Sequence, residues 1–161
     1  MRRTTVIQHR HPYPIFIPDG TRKVIVGTLP PPRFSFGELR ERDVDFCYGS
    51  CDGTLWPVLD AIFHLALRYD NSPEAVSQRR AFLLGAKIGI CDIVESCCRD
   101  RKESSDLGMR DIRLRDLIAQ IGHHSSIDTL IFTGGNSKNG PEYLFRRQLQ
   151  KYGLQLRCLR S

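Results

Sequence analysis

Short apolar segments that favour β-strands alternate along this chain with segments that favour helices, and this order restricts the fold more than any other feature. The predicted strands span residues 23–28, 88–94, 129–133 and 154–159. The predicted helices span 56–66, 73–84 (capped by Ser72), 111–121 and 141–151. Strands and helices in alternation predict a parallel sheet with helices on both faces. The predicted fold class is therefore α/β, a three-layer α/β/α domain with a short, mainly parallel central sheet.

The length of the chain and its lack of repeats or linkers indicate a single domain. The 161 residues match the size of one domain, and residues 1–16 are a candidate loose N-terminal arm. No apolar run reaches the roughly 20 residues of a membrane span. The basic N-terminal segment lacks the apolar stretch of a secretory signal. These features predict a cytoplasmic protein without membrane contact, and we expect a monomer.

The six cysteines do not follow a familiar metal-binding pattern. Cys47 and Cys51 lie four positions apart, and Cys91, Cys97 and Cys98 form a second group. Structural zinc sites usually have two-residue spacers in both halves, which neither group has. Without a secretory signal the thiols are expected to be reduced. Buried or incidental thiols are therefore favoured over zinc or iron–sulfur ligands, and we expect no metal and no other cofactor.

Positive charge is concentrated at the C-terminal end of the chain. The net charge is +6, and residues 138–161 carry six basic side chains and one acidic side chain. A basic segment of this kind attracts a phosphate backbone without regard to its sequence. A solvated helix face gives the same pattern, so charge alone leaves both interpretations open.

The ends of the predicted strands indicate where a ligand would bind. Parallel α/β sheets bind ligands outside the carboxyl ends of their strands. In this chain those ends are the turn after Thr28, the loop around Asp92 and the turn after Thr133. Residues 33–55 lack a clear period and predict a long ordered loop, which in a compact domain is usually functional. These loops are predicted to meet at one edge of the sheet.

Four motifs occur in an order that is similar to a known enzyme superfamily. They are GTLPP at 27–31, YGSCDGTLWP at 48–57, GICDIVESC at 89–97, and FTGG at 132–135 followed by PEYLF at 141–145. From about residue 17 to 159 the chain resembles the uracil-DNA glycosylase superfamily, most closely its mismatch-specific and hypoxanthine (deoxyinosine) branches. The resemblance implies a uracil-DNA glycosylase-like fold and a monofunctional DNA glycosylase, which hydrolyses the N-glycosidic bond of an abnormal base and leaves an abasic site. The implied partner is double-stranded DNA that contains an abnormal or modified base.

Base excision sets chemical requirements that these motifs would have to meet. The base must leave the duplex and enter a pocket, which costs unstacking free energy. The pocket needs an aromatic platform, polar groups that read the base edge, and a means to place water at the anomeric carbon. A nearby carboxylate or amide carbonyl stabilises the oxocarbenium-like transition state. A deaminated purine, mismatched uracil and a bulky modified phage pyrimidine all remain candidate bases, so the role is either repair or antiviral defence.

The candidate catalytic residues are Asp52 and, in reserve, Asp45. The resemblance to the hypoxanthine branch places Gly53 at the position of that branch's asparagine, with Asp52 beside it. Thr28 and Leu29 stand where other branches have a water-orienting Asn or Asp, so that catalyst is missing here. An Asp-Gly pair is also typical of a turn. The alternative function is therefore a catalytically idle member of the fold that only binds DNA or a nucleotide.

Eight residues are candidates for contact with the flipped base. Phe46 and Tyr48 would stack on it, although core packing explains either ring equally well. Asp92 would read the base edge or orient water, or it would cap the following loop. The full set is Gly27, Thr28, Leu29, Pro30, Phe46, Tyr48, Gly53 and Asp92.

The loop and helix after residue 133 carry the candidate DNA-backbone contacts, because backbone amides at a helix start and basic side chains favour phosphate. These candidates are Gly134, Gly135, Asn136, Ser137, Lys138, Arg146 and Arg147. Members of the superfamily that the chain resembles continue into a Pro/Ser-rich loop that wedges the minor groove. This sequence stops at Ser161, so residues 33–46 are the candidate segment that would wedge the DNA instead. Four histidines are predicted to occupy surface loops rather than to bind metal or transfer protons, namely His9, His11, His123 and His124.

Overall fold

The computed structural model describes residues 5–134 and 136–154, which form a mixed α/β structure with two small sheets. The strands within these residues are β1 (Val6–Arg10), β2 (Lys23–Gly27), β3 (Ile88–Asp92), β4 (Val94–Asp100), β5 (Arg110–Leu114) and β6 (Thr129–Phe132). The helices are α1 (Pro32–Ser35), α2 (Leu55–Phe63), α3 (Pro73–Ala86), α4 (Leu117–Gly122) and α5 (Pro141–Lys151). In the described ranges no helix has the length and apolar character needed to cross a lipid bilayer.

One sheet is parallel and has the strand order β3-β2-β6. Its middle strand is completely buried at Val24 and Val26, as the β-branched sequence of this segment predicts. The register pairs Gly27 with Asp92 and Val26 with Phe132. The three strands therefore end at the same level, and the loops that follow them leave from one edge.

Apolar clusters join both faces of the parallel sheet to helices. On one face, Val26 belongs to a cluster that includes Phe145 of α5. On the other face, Ile25 belongs to a second cluster with Trp56 of α2 and Leu83 of α3. Neighbouring residues of β2 contact opposite clusters because side chains of a strand alternate between its two faces.

The second sheet is antiparallel, with the order β1-β4-β5, and the sequence does not predict it. The strand expected over 88–94 ends at Asp92, and the polar segment that follows, for which no strand is expected, forms β4. Cys97 and Arg99 of β4 are buried, so this polar segment has an inner face. β1 pairs with β4 along its whole length. Residues 6–10 therefore belong to a sheet rather than to a loose N-terminal arm.

The prediction of a helix over 111–121 is wrong for the first half of this range. Arg110–Leu114 form β5, in which Leu114 pairs with Val94 of β4, and only Leu117–Gly122 are helical. Sheet pairing overrides the local helical spacing here, as tertiary contacts often do. The other predicted helices are present as α2, α3 and α5, and Ser72 caps α3 by accepting the N–H of Ala75. The strand predicted over 154–159 lies, from residue 155 onward, outside the described residues.

Candidate active site

A cavity of about 510 Å³ opens at the carboxyl edge of the parallel sheet. The ends of β2, β3 and β6 and the loop before α2 line it, so the loops that the sequence predicts to converge do meet. A pocket of this size suits a small molecule or a single group of a larger ligand. Its polar lining includes Thr28, Tyr48, Ser50, Asp92 and Thr133.

Asp92 is the last residue of β3, and its carboxylate lines the cavity with only 5% of the side chain exposed. Its Oδ2 lies 2.5 Å from Nε2 of His11, whose side chain is fully buried. The contact holds one carboxylate oxygen and leaves Oδ1 for a ligand or a water molecule. Among the predicted carboxylates, Asp92 is the one that lines the cavity.

Tyr48 supplies an aromatic ring to the cavity and lies against Gly27. Its φ of 59° is a left-handed conformation that is uncommon for a bulky residue. Its hydroxyl lies 3.5 Å from the carbonyl oxygen of Cys91. Burial, followed by the negative charge of Asp92, raises the pKa of Tyr48 well above its usual 10, so the hydroxyl stays protonated. A Cβ on Gly27 would overlap that hydroxyl and lie 2.6 Å from Oδ1 of Asp92, which explains why glycine occupies the position.

A further carboxyl group supports the turn after β2. Thr28 lines the cavity, and its hydroxyl donates to Oδ1 of Asp106 at 2.8 Å. Burial raises the pKa of Asp106, although the bond from Thr28 and the charge of Arg99 act in the opposite direction. The side-chain amide of Asn139 also donates to the Asp106 carbonyl oxygen. Asp106 therefore fixes the position of Thr28 from outside the cavity.

Much of the remaining lining is apolar. It includes Leu29, Pro30, Pro31, Leu55, Val58 and Ile131. Val58 and Ile131 are 51% and 42% exposed, so part of this apolar surface faces solvent. A cavity with apolar walls and a few fixed polar groups suits a ring that has apolar faces and a polar edge.

The structure does not bring the predicted catalytic residues Asp52 and Asp45 to the cavity. Asp52 lies in a turn before α2, and its carboxylate, 75% exposed, pairs with Arg40 at 3.1 Å. Asp45 Oδ1 accepts a hydrogen bond from the Tyr13 hydroxyl at 2.6 Å in an exposed position. The Asp-Gly pair thus adopts the turn that its sequence also favours.

Most of the predicted base-contact residues do line the cavity. They are Thr28, Leu29, Pro30, Tyr48, Gly53 and Asp92. Gly27 lies directly behind two of them, as its contacts with Tyr48 and Asp92 show. Phe46 lies instead in the core, where its ring packs against Phe16 and Trp56. Its place in the structure is the packing role that the sequence left open.

The predicted DNA-backbone residues occupy separate parts of the surface. The loop that follows Thr133 carries an exposed group made up of Gly134, Asn136, Ser137 and Lys138. Gly135 lies outside the described residues. Arg146 pairs with Glu142 one turn away on α5. Arg147 lies over the ring of Tyr143 and lines a different groove. Among the described candidates, the loop residues are the ones that come directly after a cavity-lining residue, Thr133.

The prediction that His9 and His11 occupy surface loops is wrong. His9 lies on β1 with no exposed surface, and His11 is 9% exposed. Nδ1 of His9 accepts a hydrogen bond from Nε of Arg99 at 2.9 Å. Burial, followed by the positive charge of Arg99, lowers the pKa of His9 to about 3. The signal available in the sequence is the two-residue period, which places His9 and His11 on the same side of an extended segment.

Neither metal chemistry nor known relatives identify the site. In residues 5–134 and 136–154, no three His, Cys, Asp or Glu side chains are grouped to hold a metal ion. Cys47 and Cys91 are buried free thiols, and burial raises the pKa of Cys91 to about 12, which makes it a poor nucleophile.

No family model, curated protein or solved structure matches this chain.

Proposed function

We propose that this protein is a monofunctional DNA glycosylase, which flips an abnormal or modified base out of double-stranded DNA and hydrolyses its N-glycosidic bond. The observation that carries the proposal is the nearly buried Asp92 carboxylate in a cavity at the carboxyl edge of the parallel sheet. Asp92 replaces Asp52 as the proposed catalytic residue, because Asp52 lies in an exposed turn with Arg40.

The carboxylate suits the chemistry of N-glycosidic hydrolysis. As the base departs, positive charge develops on the sugar, and a fixed carboxylate in a site shielded from water stabilises that charge strongly. Oδ1 of Asp92 would also accept a hydrogen bond from the attacking water. Because Oδ2 is already held by His11, the carboxylate meets the water without first reorienting.

The cavity walls favour a flat heterocycle as the group that enters. The Tyr48 ring would stack on the base, while the hydroxyls of Ser50 and Thr133 would meet its polar edge. The volume of about 510 Å³ accommodates either a plain base or one with a bulky substituent. The proposal therefore covers repair of deaminated bases as well as defence against phage DNA with modified pyrimidines.

The remaining parts of the proposal follow from the same resemblance. Apolar clusters on both faces of the parallel sheet support a three-layer, uracil-DNA glycosylase-like domain. The net charge of +6 and the exposed Lys138 beside the cavity loops support a duplex DNA partner. A monomeric, cytoplasmic enzyme without a cofactor completes the proposal.

The direct test is an abasic-site assay on a panel of duplexes followed by alkaline cleavage. The panel holds uracil opposite guanine, hypoxanthine, xanthine and phage genomic DNA with hypermodified cytosine, and an unmodified duplex serves as the control. The proposal predicts cleavage of at least one modified substrate and none of the control. Intact strands across the whole panel would contradict it.

One observation favours a second candidate, a catalytically idle protein that binds DNA or a nucleotide. The position that the resemblance implies for catalysis is occupied by Gly53, and its neighbour Asp52 does not reach the cavity. This candidate predicts that the protein retains affinity for duplex DNA or a nucleotide while releasing no base from any member of the panel.

A further inference from the structure

We propose that His11 is the positioning residue of this site. In this view it is a neutral imidazole that carries its single proton on Nε2, holds Oδ2 of Asp92, and takes no proton during the reaction. The role of Asp92 in the reaction rests on the proposed function, whereas the protonation pattern of His11 follows from the structure alone.

The backbone of Tyr13 determines which ring nitrogen of His11 is protonated. The Tyr13 N–H donates to Nδ1 of His11 at 3.0 Å. A backbone N–H can only donate, so Nδ1 must present its lone pair and carry no proton. The single proton of the neutral ring is therefore on Nε2, which lies 2.5 Å from Oδ2 of Asp92. In this arrangement the carboxylate oxygen accepts a hydrogen bond from a neutral donor.

The backbone of Tyr13, whose N–H sets this pattern, is itself held in place. The carbonyl oxygen of Tyr13 accepts a hydrogen bond from Nη2 of Arg115 at 2.6 Å. The backbone N–H of His11 donates to the carbonyl oxygen of Glu95 at 2.9 Å, and the buried imidazole lies edge-on to the Tyr13 ring. A ring with both nitrogens and its own backbone bound has one orientation available. His11 therefore determines the direction of the Asp92 carboxylate.

The same contacts prevent His11 from acting as a proton relay. A second ring proton would sit on Nδ1 and face the Tyr13 N–H, which places two donors against each other in a buried position. In the hydrolysis, the water oxygen bonds to the anomeric carbon and the electron pair of the N-glycosidic bond leaves with the base. The water proton goes to Oδ1 of Asp92 and returns to solvent after the base has left, while solvent supplies the proton that neutralises the departed base. His11 keeps its Nε2 proton throughout.

The protonation pattern is tested on the wild-type protein without any activity assay. A long-range ¹H–¹⁵N correlation spectrum at neutral pH distinguishes a protonated ring nitrogen from an unprotonated one, and the signals of His11 are assigned by their loss in His11→Gln. The proposal predicts a protonated Nε2 and an unprotonated Nδ1 for His11. A proton on Nδ1, alone or together with one on Nε2, would overturn it.

The positioning role is tested by comparing three variants in single-turnover assays on the substrate found in the panel. His11→Phe keeps a ring but removes the donor, and we expect a rate loss on the order of 10- to 100-fold with unchanged DNA affinity. His11→Gln restores an N–H donor at the position of Nε2 and should recover much of the rate. His9→Gln is the matched control, because His9 is also buried and lies two residues away but contacts Arg99 instead.

These outcomes separate the inference from the proposed function. Equal rate losses in His11→Phe and His9→Gln, or no recovery in His11→Gln, would overturn the positioning role even for an active glycosylase. If wild-type protein releases no base, the glycosylase proposal fails, while the spectrum still decides whether His11 is a neutral Nε2 donor. If His11→Phe does not fold, the wild-type spectrum and the His11→Gln rate still decide the matter.

Discussion

His11 and Asp92 are 81 positions apart in the chain, yet Nε2 of the first lies 2.5 Å from Oδ2 of the second. Asp92 ends a strand of the parallel sheet, whereas His11 follows directly on β1 of the antiparallel sheet. The contact therefore fixes the N-terminal segment against the cavity. It also couples the geometry of the proposed site to the pairing of the two sheets.

Replacement of Gly27 by alanine should damage the site more than the fold. The new methyl group would overlap the Tyr48 hydroxyl and approach Oδ1 of Asp92, so both side chains must move. We expect a loss of about 1–3 kcal/mol in stability, typical of overpacking, and a much larger proportional loss of base release. Gly85→Ala in α3 is the matched control, since a Cβ there meets no atom within 4 Å, and it should raise the melting temperature.

Asp43 should be essential for the long loop before α2. Its buried carboxylate accepts hydrogen bonds from Nε and Nη2 of Arg33 and from the backbone N–H groups of Arg40 and Cys51. Burial alone would raise the pKa of Asp43, but these bonds outweigh burial and lower it well below 3.8. Asp43→Asn should reduce the free energy of unfolding by about 3 kcal/mol in urea titrations.

The pH dependence of that contribution has a definite sign. Because the pKa of Asp43 is lowered in the folded state, its stabilisation is present above the unfolded value of 3.8 and is lost as the pH falls below it. The stability difference between wild type and Asp43→Asn should therefore shrink on acidification below about pH 4. A difference that grows there would contradict this assignment.

His9 should make the protein sensitive to mild acid. Its pKa is about 3 when folded and 6.5 when unfolded, so below pH 6.5 the unfolded chain binds a proton that the folded chain does not. Stability should fall with decreasing pH in this window, by about 3 kcal/mol near pH 4.5. Thermal melts of wild type and His9→Gln between pH 7 and 4.5 test this, because the variant should lose much of the slope. Parallel slopes would show that His9 is not the cause.

DNA binding should depend on Lys138 more than on Arg147. Lys138 is exposed on the loop after the cavity-lining residue Thr133, whereas Arg147 lies over Tyr143 in a separate groove. Lys138→Ala should weaken binding to all duplexes alike and reduce the slope of log affinity against log salt by about 1. Arg147→Ala should change that slope less. The reverse order would place the DNA along α5.

Local signals predicted the elements whose own sequence carries a strong conformational preference. β2 and α5 were predictable because a β-branched run and a proline-started amphipathic segment carry their own preference. The antiparallel sheet was not, because β4 depends on pairing with β1, some 90 residues away, and β5 in turn depends on pairing with β4. Arg99 illustrates the difficulty, since a buried arginine beside His9 reads as a solvated charge in the sequence.

The same distinction applies to the site. Strand order alone predicted that Thr28, Asp92 and Thr133 would line one cavity, because parallel strands end at a common edge. The prediction of Asp52 as the catalytic residue depended on its position beside Gly53 in a turn, and turn geometry directs that side chain to Arg40. The role of His11 could not be predicted, because its contact with Asp92 forms only when the segment after β1 packs against the end of β3.

The catalytic role of Asp92 is measured most directly by comparing Asp92→Asn with Asp52→Asn in single-turnover base release from the substrate identified in the panel. Asparagine preserves the shape of each side chain and removes its charge. We expect Asp92→Asn to lose activity by about 100- to 10,000-fold while its DNA affinity stays near that of wild type, and Asp52→Asn to remain active. Full activity in Asp92→Asn, or a loss confined to Asp52→Asn, would contradict the assignment of this cavity as the active site.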